Sequence, residues 1–284
     1  MSRYRYVMCD VFTPRPLAGN QLAVFPDAQD IPDSLLQSLA REMNFSETVF
    51  VYPPAGGGHA RLRIFTPGRE VSFAGHPVLG SAFVLGAPAG GEEVRLETDR
   101  GVVPVRLQRN GRGITFAWMR QPLPSVTRLG DESRLGGALG IERSVLPVDV
   151  YDNGLRHVYV MFETEDAVAR LVPDHGVLGP LLAGRCLNCF AGSGRRWKTR
   201  MFSYDDPTGP REDPATGSAA GPLALHLIRH GRLAFGDEIE ISQGAETGRP
   251  STLHARVTGR PAQVEDIEVG GQAVVVGYGE FALP

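Results

Sequence analysis

Two places in the chain set a glycine and a polar residue directly before an apolar run. Gly75-His76-Pro77 precedes Val78–Leu85, and Thr216-Gly217-Ser218 leads into Pro222–His230. Unpaired N–H groups and the positive dipole end of a helix start favour an anion. Glycine lets a ligand come close to the backbone there. Two such ends aimed into one cleft would hold a substrate carboxylate. Taken singly, each is also a good capping sequence, and it is their pairing that brings function level with capping.

Three side chains near these stretches have the chemistry for proton transfer or substrate binding. Glu47 lies in Asn44-Phe-Ser-Glu-Thr-Val-Phe50 among apolar neighbours. Burial there would raise a carboxyl pKa towards one suited to proton transfer, while a solvated turn residue is the plainer reading. Asp213, in Arg211-Glu-Asp-Pro-Ala-Thr-Gly217, is either a turn former or a group that holds a substrate amine or hydroxyl. His76 is a core or capping histidine, or a neutral imidazole kept uncharged by the helix start beside it.

The elements that must position these residues follow from periodicity. Tyr6–Phe12, Gln21–Phe25, Thr48–Tyr52 and Ala60–Phe65 read as strands, and Gly19-Asn20 as the turn between the first two. Asp33–Met43 reads as an amphipathic helix with Asp33 as N-cap. The helix after Pro77 is apolar nearly all round and is expected to be buried. Val94–Leu107, Ile114–Met119 and Lys198–Tyr204 read as further strands, and Asp205–Pro214 as a loop. Gln121-Pro-Leu-Pro124 is the expected linker. The order strand, loop, Gly-polar pair, buried helix occurs in both halves, a repeat of pattern rather than of identity. The boundaries expected are 1–122 for a first domain, with the last strand in 273–284 returning to it, and 123–272 for a second.

Composition narrows the function classes. The 284 residues carry 29 Lys plus Arg against 32 Asp plus Glu, a net charge of −3. That balance argues against nucleic acid or an anionic membrane as partner, and the apolar runs are shorter than a bilayer span. No signal peptide is read at the N-terminus. Three cysteines, Cys9, Cys186 and Cys189, make no disulfide framework and point to a reducing cytoplasm. Cys186-Leu-Asn-Cys189 has no second pair to complete a zinc site and reads as apolar filler. The basic run Gly194–Arg200 reads as a solvated or subunit-contacting segment. P-loop, dinucleotide fingerprint, HExxH and GxSxG motifs are absent, so no metal and no nucleotide cofactor is expected.

Seven stretches carry a resemblance. AGNQLAVFPDA (18–28), LAREMNFSETVFV (39–51), RIFTPGREVSFAGHPVLGSA (63–82), NGLRHVYV (153–160), NCFAGSGRRWKTRMFS (188–203), EDPATGSAAGPLALHLIRHG (212–231) and QGAETGRPS (243–251) resemble the phenazine-biosynthesis isomerase family, PhzF, along almost the whole chain. The resemblance implies an α+β, diaminopimelate epimerase-like fold. Its two pseudo-symmetric domains each wrap a mixed, barrel-like sheet round a central helix. It also implies a homodimer, a small-molecule substrate and no cofactor. The implied activity moves a proton from C3 to C1 of trans-2,3-dihydro-3-hydroxyanthranilate. The family's catalytic glutamate falls on Glu47, and its substrate-holding histidine and aspartate fall on His76 and Asp213. The carboxylate-binding helix start falls on Gly217 and Ser218, with Gly75 and Asn20 completing the substrate-binding set.

Three rival readings stand beside this one. An amino-acid epimerase of the same fold resembles a two-thiol machine with one cysteine before each helix. Here those positions are Ala74 and Thr216, which cannot deprotonate an α-carbon. A non-catalytic small-molecule binding protein would be expected to lose one of Glu47, His76 and Asp213, and all three are present. An isomerase of another cyclic amino acid fits the same residues.

Overall fold

Short apolar and β-branched runs make the strand the commonest element of the chain. The structure, a computed structural model, describes residues 2–130, 132–206, 208–209, 211–261 and 263–283, the side chains of residues 88 and 89 excepted. It divides into two units, Met1–Gln121 with Val269–Pro284, and Pro122–Glu268.

The first unit contains β1 (Ser2–Val11), β2 (Asn20–Phe25), α1 (Asp33–Met43), β3 (Glu47–Tyr52), β4 (Ala60–Phe65), β5 (Glu70–Val71), α2 (Gly75–Ala89), β6 (Glu93–Thr98), β7 (Gly101–Asn110) and β8 (Gly113–Arg120). The second runs from β9 (Ser125–Arg128) through α3 (Glu132–Leu139), β10 (Asp149–Asp152), β11 (Arg156–Met161), α4 (Glu165–Ala169) and α5 (His175–Leu181). It continues with β12 (Cys186–Ser193), β13 (Arg196–Ser203), β14 (Arg211–Asp213), α6 (Gly217–Arg229), β15 (Glu238–Gln243) and β16 (Ser251–Arg260). β17 (Gln263–Gly271) carries the chain back, and β18 (Ala273–Leu283) ends it.

Pairing in the two units follows one scheme. β1 lies antiparallel to β2, β2 parallel to β3, β3 antiparallel to β4, and β4 parallel to β6. In the second unit β10 lies antiparallel to β11, β11 parallel to β12, β12 antiparallel to β13, and β13 parallel to β15. Each parallel pair needs a crossover: α1 and then α2 supply them in one unit, α4 with α5 and then α6 in the other. A short strand beside the fourth position, β5 or β14, leads in each case into the central helix. β18 pairs with β1 from Ser2↔Leu283 to Val11↔Ala273.

α2 touches β1, β2, β3, β6, β7, β8 and β18. That explains both its all-apolar composition and its glycines. A Cβ on Gly80 would sit 2.6 Å from Leu22 and 2.7 Å from Val11, and one on Gly86 would sit 2.7 Å from Leu107. α6 is buried from Gly217 to Leu227. A core of Phe25, Phe50, Phe65 and Leu36 packs α1 on the strands of the first unit, and one of Val150, Val160, Phe162 and Leu187 packs α3 to α5 on those of the second.

Several expectations from sequence change. Pro32, not Asp33, is the N-cap of α1, and no side chain caps it; Asp33 lies in the first turn, where its charge favours the helix dipole. The single strand read over Val94–Leu107 is two, β6 and β7, with a turn at Asp99-Arg100. β14 interrupts the loop expected at 205–214, of which Pro207 and Pro210 lie outside the described residues. The basic run is not simply solvated. Arg200 is buried and grips Glu212 through two bonds of 2.7 and 2.8 Å, and Lys198 pairs with Glu246 at 2.6 Å.

Candidate functional site

In the first unit, β2, β3 and α2 bring three of the expected residues together. Gly19, at φ 68°, makes the turn that starts β2; a Cβ there would collide with the Val11 carbonyl. Asn20 follows, fully buried. α1 ends on Asn44 in the left-handed conformation (φ 51°), and three residues later Glu47 opens β3 opposite Leu22. His76 is the second residue of α2. Its Nδ1 lies 3.2 Å from Asn20 Nδ2 and 3.4 Å from Glu47 Oε2. The Glu47 side chain keeps 15% of its surface in contact with solvent, whereas His76 keeps 3%.

Burial sets the protonation of His76. It pushes the imidazole down to about 3, against a weaker upward pull from the Gln21 backbone. A neutral ring with the Asn20 amide donating to Nδ1 carries its proton on Nε2. The Glu47 carboxyl group thus stands beside a neutral ring whose Nδ1 lone pair is taken by Asn20. This geometry suits a glutamate that alternates between base and acid, because the neighbouring ring is neither a fixed cation nor a rival base. Ala74 precedes α2 in extended conformation and has no side chain that caps it.

In the second unit, Asp213 ends β14 and Thr216 precedes α6. The Thr216 hydroxyl does not cap the helix; it donates to Asp213 Oδ2 at 2.6 Å. Gln243, at the end of β15, holds this corner. Its Nε2 donates to the Asp213 carbonyl at 2.7 Å and to Thr216 Oγ1 at 2.9 Å, and its Oε1 accepts from the Thr216 N–H at 3.1 Å. Gly244 is at φ 81°, where a Cβ would meet the carbonyls of Pro214 and Arg249.

Ser218 is held by a chain of donors. Asn188 Nδ2 lies 3.3 Å from His157 Nδ1, and His157 Nε2 lies 3.1 Å from Ser218 Oγ. Burial pushes His157 down to about 3, so the ring is neutral. With Asn188 donating to Nδ1, Nε2–H donates to Ser218 Oγ, and the Ser218 proton is left to point elsewhere. Asn153 donates to the Ser218 carbonyl at 2.8 Å and Tyr159 to the Ala219 carbonyl at 2.7 Å, which fixes the first turn of α6. A hydroxyl set as donor at a helix start is an arrangement that receives a carboxylate.

The repeat aligns the two clusters. The second residue of the central helix is His76 in one unit and Ser218 in the other. Each meets polar groups on the two strands joined by the crossover: Asn20 and Glu47 on β2 and β3, His157 and Asn188 on β11 and β12.

The sequence pointed to Glu47, His76 and Asp213 with Asn20, Gly75, Gly217 and Ser218, read Thr216 only as part of a helix start, and assigned no role to Asn153, His157, Asn188 or Gln243. Asn188, polar between Leu187 and Cys189, was the available signal, whereas His157 follows Arg156 and had none in its immediate neighbours. The cysteines are buried and stand at neither helix start. Burial pushes the Cys9 thiol up to about 12 and raises that of Cys189, which leaves both protonated.

Comparison with known proteins bears on all of this. Residues 9–279 match the family model described as phenazine biosynthesis-like protein. The chain is 48% identical over 280 residues to the trans-2,3-dihydro-3-hydroxyanthranilate isomerase of Pseudomonas fluorescens, covering 99% of this chain and 100% of that one. A Bacillus anthracis phenazine biosynthesis protein of the PhzF family superposes with a TM-score of 0.85 at 25% identity, with all of both chains covered. A probable proline racemase from Agrobacterium radiobacter K84 superposes with a TM-score of 0.71 at 15% identity, over 99% of this chain and 93% of the other. That likeness concerns the diaminopimelate epimerase-like fold alone.

Proposed function

Because the chain belongs to the phenazine biosynthesis-like protein family, we propose that it is an isomerase of trans-2,3-dihydro-3-hydroxyanthranilate, with Glu47 as the proton carrier. The observation that carries this reading is end-to-end similarity, at 48% identity, to a relative of that name. The Glu47, His76 and Asn20 cluster supports it.

The Glu47 carboxylate takes the proton from C3 of the ring, and the carboxylic acid so formed returns it to C1. No atom is gained or lost, and the enol product tautomerises to the ketone. One residue acting first as base and then as acid needs no second titrating partner. A neutral His76 stands beside Glu47 without adding a positive charge and without competing for the proton at working pH. Asn20 sets that ring's tautomer. We assign the Gly217–Ser218 helix start to the substrate carboxylate, where N–H donors and the Ser218 hydroxyl stabilise charge developing in the transition state. Asp213, oriented by Thr216 and Gln243, is assigned to the substrate amino group. Thiol-based racemisation is disfavoured, since Ala74 and Thr216 stand where that chemistry would need cysteines.

The test is turnover of trans-2,3-dihydro-3-hydroxyanthranilate by the purified protein, followed as loss of substrate absorbance. Glu47→Gln keeps shape and an acceptor oxygen but cannot carry the proton. It is expected to bind substrate by calorimetry and to lose about 10²–10⁴-fold in single-turnover rate. Retention of activity within roughly tenfold of the parent, below that usual range, would remove Glu47 from the role. Absence of turnover by the parent protein would transfer the reading to another cyclic amino acid as substrate.

A further inference from the structure

At the C-terminal end of α6, opposite the end that carries Gly217 and Ser218, three metal-ligating side chains converge. His226 and His230 are four residues apart on the last turn and its cap, so they share one face. Asp149 is the first residue of β10. Asp149 Oδ2 lies 2.9 Å from His230 Nε2 and 3.7 Å from His226 Nδ1. All three donor atoms fall within 4.8 Å of one another.

We propose that Asp149, His226 and His230 bind one first-row divalent transition-metal ion, with water completing the coordination. In a tetrahedral zinc site with bonds of about 2.0–2.1 Å, ligand atoms stand about 3.3 Å apart, and the two measured separations straddle that value. Two imidazoles and one carboxylate suit zinc, cobalt, nickel or iron(II), and exclude the hard calcium and magnesium ions, which take oxygen ligands.

An ion pair alone does not account for the arrangement. Asp149 is paired through Oδ1 with Arg128 at 3.5 Å and through Oδ2 with His230. A carboxylate so compensated has no need of a second imidazole that is completely buried and aimed at the same oxygen, yet His226 is 0% exposed. The Tyr151 hydroxyl lies 3.2 Å from His226 Nδ1, and the stacked Tyr159 ring holds the imidazole plane. His230 is only partly buried and gives the ion a way in.

Two features lower the affinity. Arg128 and Arg229 both place positive charge nearby, although the Arg128 side chain is 61% exposed and screened by water. His226 Nε2 has no hydrogen-bond partner among the described residues, so the outer bond that usually raises a ligand's basicity is missing. The missing outer bond alone is expected to weaken binding by about 10–100-fold against a fully supported site. The ion would pin α6 to β10 some 18 Å from Ser218 (230 − 218 = 12 residues at about 1.5 Å each). Its place at the opposite end of α6 from Ser218 makes it a structural ion that holds the helix to the strand.

The experiment uses untagged full-length protein, dialysed against chelator and titrated with Zn²⁺ by calorimetry and with Co²⁺ by visible absorption. One ion per chain, a d–d spectrum of a low-coordinate Co²⁺ site and a raised melting temperature with Zn²⁺ are expected. His230→Gln changes a partly exposed residue and should abolish all three. His230→Cys keeps a ligand, and should restore binding and add a thiolate-to-Co²⁺ charge-transfer band. Absence of stoichiometric binding, or binding unchanged in His230→Gln, overturns the proposal.

Discussion

Burial keeps His76 and His157 neutral, and that protonation state governs what each can do. His76 accepts the Asn20 amide beside Glu47, and His157 presents an N–H to Ser218. Both are pushed from 6.5 down to about 3, with a consequence for stability. Between those values the unfolded chain binds protons that the folded chain refuses. Stability is therefore full above about pH 6.5 and falls as pH is lowered towards 3. The slope is up to about 1.4 kcal/mol per pH unit for each histidine. Denaturant unfolding measured as pH is lowered from about 6.5 should show that loss, and His157→Gln should flatten it by one histidine's share. An unchanged slope in that variant would mean that folded His157 is charged. The same shift means that a rate limb near pH 6.5 in the isomerase reaction cannot belong to His76.

Elements matter here through how closely they approach. α2 lies against β1 and β2 only because Gly80 offers no side chain towards Leu22 and Val11. β2 carries Asn20, and its neighbour β3 carries Glu47, so the spacing of the cluster depends on that approach. Gly80→Ala improves helix propensity but overpacks this contact. Overpacking usually costs about 1–3 kcal/mol, more than propensity returns. Chemical denaturation should show destabilisation in that range together with a lower turnover rate; a stabilised variant would show that α2 moves aside freely. In the second unit the comparable support is polar. Gln243 reaches from β15 to both Asp213 and Thr216, so α6 and β14 are held by hydrogen bonds where α2 is held by packing.

At the scale of the molecule, the first unit is built from both ends of the chain. β18 pairs with β1 along its length, and Phe281 packs on Tyr6 and Phe25 at 5.6 and 6.2 Å between ring centres. A chain that stops after Gln272 leaves β1 with an open edge and that aromatic cluster incomplete. Such a truncation is expected to lose the cooperative melting of the first unit and to aggregate through the edge. Melting like that of the intact protein would show that β18 is dispensable. The second unit is continuous from Pro122 to Glu268 and should keep its own transition in the same scan.

Sequence alone determined what periodicity and residue type can express. α1 is found at its expected bounds because one apolar stripe repeats along it, and α2 and α6 are central because α2 is apolar nearly all round and α6 is apolar along most of its length. The helix starts at Gly75 and Gly217 were legible for the same reason, and the choice of Glu47, His76 and Asp213 came from motifs matched along the chain. Tertiary structure decided what depends on partners distant in sequence. Gln243 reaches Asp213 across 30 residues and His157 reaches Ser218 across 61, and no local pattern encodes either bond. The neutral state of His76 follows from enclosure by β2 and β3, which its flanking residues do not specify. Asp149 lies 77 residues before His226 (226 − 149), so the metal-like cluster has no motif in the sequence. It exists because a strand and a helix end, each unremarkable in sequence, pack against each other.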